Sequence, residues 1–92
     1  MATYLMSGKY SLEALKEISA QRTATAVAVI RQHGGEIKAA YAPLGDTDLL
    51  LIVDLPDTER AIQTSVALTN LLAISFSTVP AITVEEFDKL MA

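Results

Sequence analysis

Apolar and polar positions alternate over residues 2–10, a stretch that carries Tyr4, Leu5 and Met6 and stops at Ser11. Period-two alternation predicts a first strand. Ser11 is a favoured N-cap, and Glu13 in the following turn suits the positive end of a helix dipole. A helix is expected from there towards His33. Leu12, Leu15 and Ile18 form one apolar stripe, and Ala26, Val27 and Ile30 form a second. Ser19 to Thr25 is polar and weakly periodic, which predicts a kink or break. Gly34-Gly35 ends the helix, because glycine accepts the left-handed conformation common at helix C-termini.

Glu36 to Ala42 sets Ile37, Ala39 and Tyr41 against Lys38, Ala40 and Ala42, the pattern of a half-buried strand. Pro43 to Asp48 supplies turn chemistry, and Leu49 to Val53 is continuously apolar. A hairpin is predicted whose second strand is buried on both faces. Asp57 caps the next helix after Pro56. Its expected inner face is Ile62, Val66 and Thr69, flanked by Ala61, Ser65, Leu68 and Leu72. Ile74 to Ile82 is β-branched and serine-rich with Pro80 inside it, which marks an edge strand. Thr83-Val-Glu-Glu86 matches a capping box, so a short C-terminal helix is expected to hold Phe87 and Leu90 against the body.

The order is β-α-β-β-α-β with a terminal helix. This is the ferredoxin-like α+β arrangement: a two-layer sandwich on an antiparallel sheet, with strands one and three central and two and four at the edges. Ninety-two residues fit one domain, taken as 1–92. Both helices of such a sandwich cover one face of the sheet, and the other face should be polar if it meets water. Strand three instead places Leu49, Leu51 and Val53 on one face and Leu50 and Ile52 on the other. The hydrophobic fraction of 51% points the same way. A contiguous apolar face usually marks an interface, so a homodimer or higher homo-oligomer built through the sheet is expected.

Charge and composition narrow the function classes. Eleven acidic residues outnumber seven basic ones, and the basic ones are scattered singly. Nucleic-acid binding needs clustered cations, so it is not expected. No cysteine is present, which removes disulfides, thiolate metal sites and thiol catalysis. One histidine beside no cysteine makes a transition-metal site unexpected, and no cofactor is implied. No apolar run reaches the ~20 residues of a membrane span, and the N-terminal stretch lacks the pattern of a signal peptide. The chain reads as cytoplasmic, with no membrane partner.

The residues resemble the GYD-domain family over nearly the whole chain. Met1-Ala-Thr-Tyr-Leu5 with Lys9-Tyr10 looks like that family's first strand. Gly34-Gly-Glu-Ile-Lys38 and Tyr41-Ala-Pro-Leu-Gly45-Asp-Thr-Asp48 look like its central hairpin. Leu51 to Asp57 and Ala81 to Phe87 extend the likeness. The resemblance implies a ferredoxin-like fold of the dimeric α+β-barrel type and no established activity. The family's signature is glycine, any residue, tyrosine, aspartate; here Gly45 and Asp48 remain, and Thr47 replaces the tyrosine. The family's Gly-Asn-Val before the last strand is Leu72-Ala73-Ile74 here. Ser75 and Pro80 stand where the last strand often carries basic residues.

Five residues are candidates for a ligand site: Tyr4, Tyr10, His33, Tyr41 and Asp48. The tyrosines all fall on predicted strands. Tyr4 and Tyr10 share parity, with Gly8 leaving space between them, so they suit a small apolar pocket with hydroxyls for orientation, or else core packing. Asp46 and Asp48 would point the same way on a regular strand, where paired carboxylates can divide acid and base roles. Turn formation and amide capping are the structural alternative. His33 before Gly-Gly suits a helix C-terminus. Three readings stay open: a small-molecule-binding module with its pocket between sheet and helices or at the sheet interface; a cofactor-less enzyme of the monooxygenase-like dimeric α+β-barrel type; or a purely structural or regulatory partner protein.

Overall fold

The computed structural model describes residues 1–92. Strand β1 (Ala2–Tyr10) is followed by two helical pieces, α1 (Leu12–Lys16) and α2 (Ala20–Gln32). The hairpin strands β2 (Glu36–Tyr41) and β3 (Leu49–Leu55), helix α3 (Thr58–Leu72), strand β4 (Ile74–Ala81) and helix α4 (Val84–Met91) complete the chain. The sheet is antiparallel with order β2-β3-β1-β4, the ferredoxin-like order read from the pattern of elements. No helix is long and apolar enough to cross a membrane.

Caps fix the helix starts. Ser11 Oγ accepts the Ala14 amide at 3.0 Å, and Asp57 Oδ1 accepts the Arg60 amide at 2.8 Å. Thr83 Oγ1 accepts the Glu86 amide at 3.1 Å. Each contact satisfies one of the amides that a helix N-terminus leaves unpaired. The break expected over Ser19 to Thr25 falls earlier, at residues 17–19, and 20–25 are helical because Ser19 acts as a second N-cap and accepts the Arg22 amide at 3.3 Å. After α2, Gly34 takes a left-handed φ of 81°. Gly35 follows because the chain passes so close to β3 that a Cβ there would lie 2.5 Å from Leu55 Cδ2 and 2.8 Å from the Asp54 carbonyl oxygen.

The core lies between the helices and one sheet face. Tyr4 and Met6 of β1, Leu51, Val53 and Leu55 of β3, and Ile74 of β4 meet Ala26, Val29 and Ile30 of α2 and Ala61, Leu68 and Leu72 of α3. Strand parity puts Thr3, Leu5, Ser7 and Lys9 on the opposite, open face, beside Leu50, Ile52 and Asp54 of β3 and Ser75, Ser77, Val79 and Ala81 of β4. Leu5, Leu50 and Ile52 are only half-buried there, because a single chain covers one face alone.

Four local readings need correction. A bulge between Ile37 and Ala39 shifts the parity of β2, so Ala39 pairs with Ile52 and Tyr41 with Leu50, while Ala40 joins Ile37 opposite the β3 core residues. The stripe Leu12, Leu15 and Ile18 is exposed, because α1 stops after five residues and buries only Ala14. On α3 the buried face is Ala61, Thr64, Leu68 and Leu72, which rotates Ile62 and Val66 to the exposed flank at 59% and 55%. Helix α4 forms where expected but buries none of its residues. The helix face of the sheet is already covered by α2 and α3, and α4 leaves the edge strand on the side of the open face. A groove there is lined by Leu5, Ile52, Ala81 and Glu86. Phe87 and Leu90 are therefore 50% and 69% exposed.

Candidate functional site

The five candidate residues do not form one constellation. Tyr4 and Tyr10 sit on the same face of β1, but six residues of strand separate them by about 20 Å. The space expected over Gly8 is filled, since a Cβ there would lie 2.9 Å from both Ile74 Cγ2 and Phe76 Cε1. Tyr4 is a core residue, 4% exposed, with its hydroxyl 3.5 Å from Thr58 Oγ1. His33 caps the C-terminus of α2, and its Nδ1–H donates to the Val29 carbonyl at 2.8 Å. Tyr4 and His33 both lie far from Tyr10.

Tyr10, Tyr41 and Asp48 share the other end of the sheet. Asp48 Oδ2 accepts the Tyr10 amide at 3.0 Å, and the Asp48 amide donates to the Gly8 carbonyl at 2.9 Å. This pair stitches the entry of β3 to the end of β1. Asp46 lies exposed in the turn rather than on a strand, so the two aspartates do not form a carboxylate dyad.

Above this end lies a cleft of about 270 Å³ between the start of α2 and the strands. Its floor includes Leu49, Leu51 and Ile74, its roof includes Ala26, and Tyr10 and Tyr41 flank it. Of fourteen lining residues, eleven are hydrophobic; the other three are Ser19, Arg22 and Thr23. No carboxylate or imidazole lines it.

Arg22 is the residue that the sequence reading did not single out. Its Nη1–H donates to the Ala14 carbonyl and its Nη2–H to the Leu72 carbonyl, both at 2.6 Å. One guanidinium thus ties the ends of α1 and α3 together at the cleft. The available signal was an arginine inside the polar stretch 19–25 that interrupts two apolar stripes.

One ionisable group elsewhere is clearly perturbed. The Thr3 hydroxyl donates to Asp54 Oδ1 at 2.8 Å and holds this carboxyl below its ordinary range, aided by Lys38 Nζ at 3.4 Å from Oδ2. Desolvation opposes the shift but is outweighed. This polar trio sits at one end of the open sheet face, on the strand stretch opposite to the cleft end.

Comparison with known proteins agrees with this architecture. The GYD domain family model matches residues 4–91, and the chain belongs to that family. A search of curated proteins finds no match. Among solved structures, the chain is similar in fold to the leucine response regulatory protein LrpA of Mycobacterium tuberculosis, with a TM-score of 0.59 and 7% identity. That match covers 89% of this chain and 51% of the other. A second solved structure, of a glutamate-to-alanine mutant, matches with a TM-score of 0.58 and 10% identity over 89% of this chain and 50% of its own. The chain spans about half the length of both, and at these identities the likeness concerns the fold.

Proposed function

We propose that this GYD-domain chain is a small-molecule-binding module, holding an apolar ligand in the cleft between α2 and the sheet. The observation that carries the reading is the cleft itself: about 270 Å³ of space above Leu49, Leu51 and Ile74, with a few polar side chains on one side. Binding sites generally combine a concave apolar surface with a small number of placed polar groups. The volume lies just below the ~300 Å³ at which drug-sized pockets begin, so the ligand is small. The lining offers no general base of the carboxylate or imidazole type, which favours binding over proton-transfer chemistry there.

The same reading includes self-association. The open face presents Leu5, Leu50, Ile52 and Val79 with no second layer, and α4 presents Val84, Phe87 and Leu90 with no partner. Two unpartnered apolar surfaces on one side of a small chain favour a second copy as the cover.

A thermal-shift panel of small apolar molecules tests the ligand reading. Ala26 is 7% exposed and lines the cleft, so Ala26→Leu places side-chain atoms in the space a ligand would take. At least one compound class should raise the melting temperature of the native chain and lose that effect in Ala26→Leu. A panel with no stabilising compound, or stabilisation equal in both proteins, would remove the cleft from the account.

A further inference from the structure

Arg22 carries the chain's one charge in the cleft, and that charge has no counter-ion. The chain's two ion pairs are Lys38 with Asp54 and Lys89 with Glu85, neither at this end of the sheet. Arg22 is half-buried, and its two recorded side-chain acceptors are neutral carbonyls. A guanidinium has five N–H donors, so three remain beyond those two bonds. Both carbonyls lie in the last turn of a helix, whose dipole offsets part of the positive charge, but no carboxylate pairs with it.

The neighbouring polar groups have the same polarity. Ser19 Oγ already accepts the Arg22 amide, which leaves its hydroxyl proton to donate. Thr23 and Tyr10 add hydroxyls to the lining, while the Tyr41 side chain leaves from the other face of the sheet. The cleft therefore supplies donors and one positive charge on its polar side, and hydrocarbon over the rest. A ligand that matches it brings acceptors and one negative charge on one end, and an apolar body on the other.

Resting on the binding role proposed above, we propose that the ligand is a small monocarboxylic acid with an aromatic or branched aliphatic body. Its carboxylate pairs with the Arg22 guanidinium, and its body lies over Leu49, Leu51 and Ile74. Carboxylate is the anion of choice for this cleft because a planar guanidinium engages it through two parallel hydrogen bonds. A single cation also balances a monoanion, whereas a phosphate dianion would leave excess negative charge in an apolar cleft.

The test is isothermal titration of the native chain with phenylacetate and 4-methylpentanoate, each beside its neutral amide of the same shape. Each acid is expected to bind at least tenfold more tightly than its amide, with affinity falling as salt rises. Arg22→Lys, which keeps the charge but loses the planar fork, should weaken the acid several-fold and leave the amide unchanged. Because Arg22 also ties α1 to α3, the circular dichroism of that variant is recorded first; if it is unfolded, the comparison of acid with amide on the native chain decides alone. Amides that bind as well as acids would overturn the carboxylate assignment and leave the apolar cleft standing. Failure of acids and amides alike would overturn both.

Discussion

The Tyr10 amide donates to Asp48 Oδ2 at 3.0 Å, while the Asp48 amide donates to the Gly8 carbonyl at 2.9 Å. One residue thus returns two bonds to β1 just before β3 begins. The aspartate that matches the family signature has a structural task here: it registers the two central strands and, through Tyr10, one wall of the cleft.

Asp48→Ala should therefore destabilise the chain by about 1–3 kcal/mol, the range for losing a hydrogen bond to a charged acceptor. Asp48→Asn keeps an acceptor and should cost about half as much. Chemical denaturation checks both, and an Asp48→Ala variant as stable as the native chain would contradict the assignment.

Ala73 is the one non-glycine residue with a positive φ, at 55°, where it ends α3 in a left-handed cap. A side chain in that conformation costs roughly 1 kcal/mol relative to glycine. Ala73→Gly should raise stability by up to about 1 kcal/mol, a shift of about 4–8 °C in melting temperature for each kcal/mol in a domain of this size. Calorimetry showing a lower melting temperature would mean the cap is not left-handed in solution.

Gly35 tests the close approach of α2's exit to β3. The Cβ of Gly35→Ala would meet the Asp54 carbonyl oxygen at 2.8 Å, and backbone cannot rotate away as a side chain can. The expected loss is about 1–3 kcal/mol by overpacking. Unchanged denaturation would show that β3 yields.

Asp54 predicts an acid-side effect. The Thr3 hydroxyl and then Lys38 lower its folded carboxyl below the ordinary value of about 3.9. A depressed folded carboxylate stabilises above the unfolded value, and that contribution is lost as pH falls through the folded one. Thr3→Val should lower stability at neutral pH, where the depressed carboxylate contributes in full, and flatten the fall in stability below about pH 4, so that the two proteins converge in acid. Identical acid denaturation curves for the two proteins would contradict the role given to Thr3.

The strands and helix caps were legible because their signals are local. Alternation from Tyr4 to Tyr10, the apolar run Leu49 to Val53, and the caps Ser11, Asp57 and Thr83 each report on neighbouring residues alone. What was hidden depends on the sheet as a whole. Lys38, Ala39 and Ala40 read equally well in either parity, so the bulge that turns Ala39 and Tyr41 to the open face left no trace. Ile62 and Leu68 are equally apolar, and only the packing of α3 on β4 and α2 decides that Leu68 is buried and Ile62 is not. In α4 the pattern gave a correct helix without saying that a single chain offers it nothing to cover.

The candidate site divides in the same way. Tyrosines on strands were visible as aromatics with hydroxyls, yet strand length separates Tyr4 from Tyr10, and Phe76 fills the space beside Gly8. Arg22 escaped because its importance comes from meeting Ala14 and Leu72, eight and fifty residues away. A polar interruption between two apolar stripes marks a break, and the break is where the cleft opens.

A crystal structure of the protein as purified decides whether the cleft between α2 and the sheet holds a ligand. The expected result is a cleft of the same volume above Leu49, Leu51 and Ile74, with electron density for a small molecule in it. A cleft closed by Tyr10 and the β3 leucines, with Arg22 turned out to solvent, would contradict it.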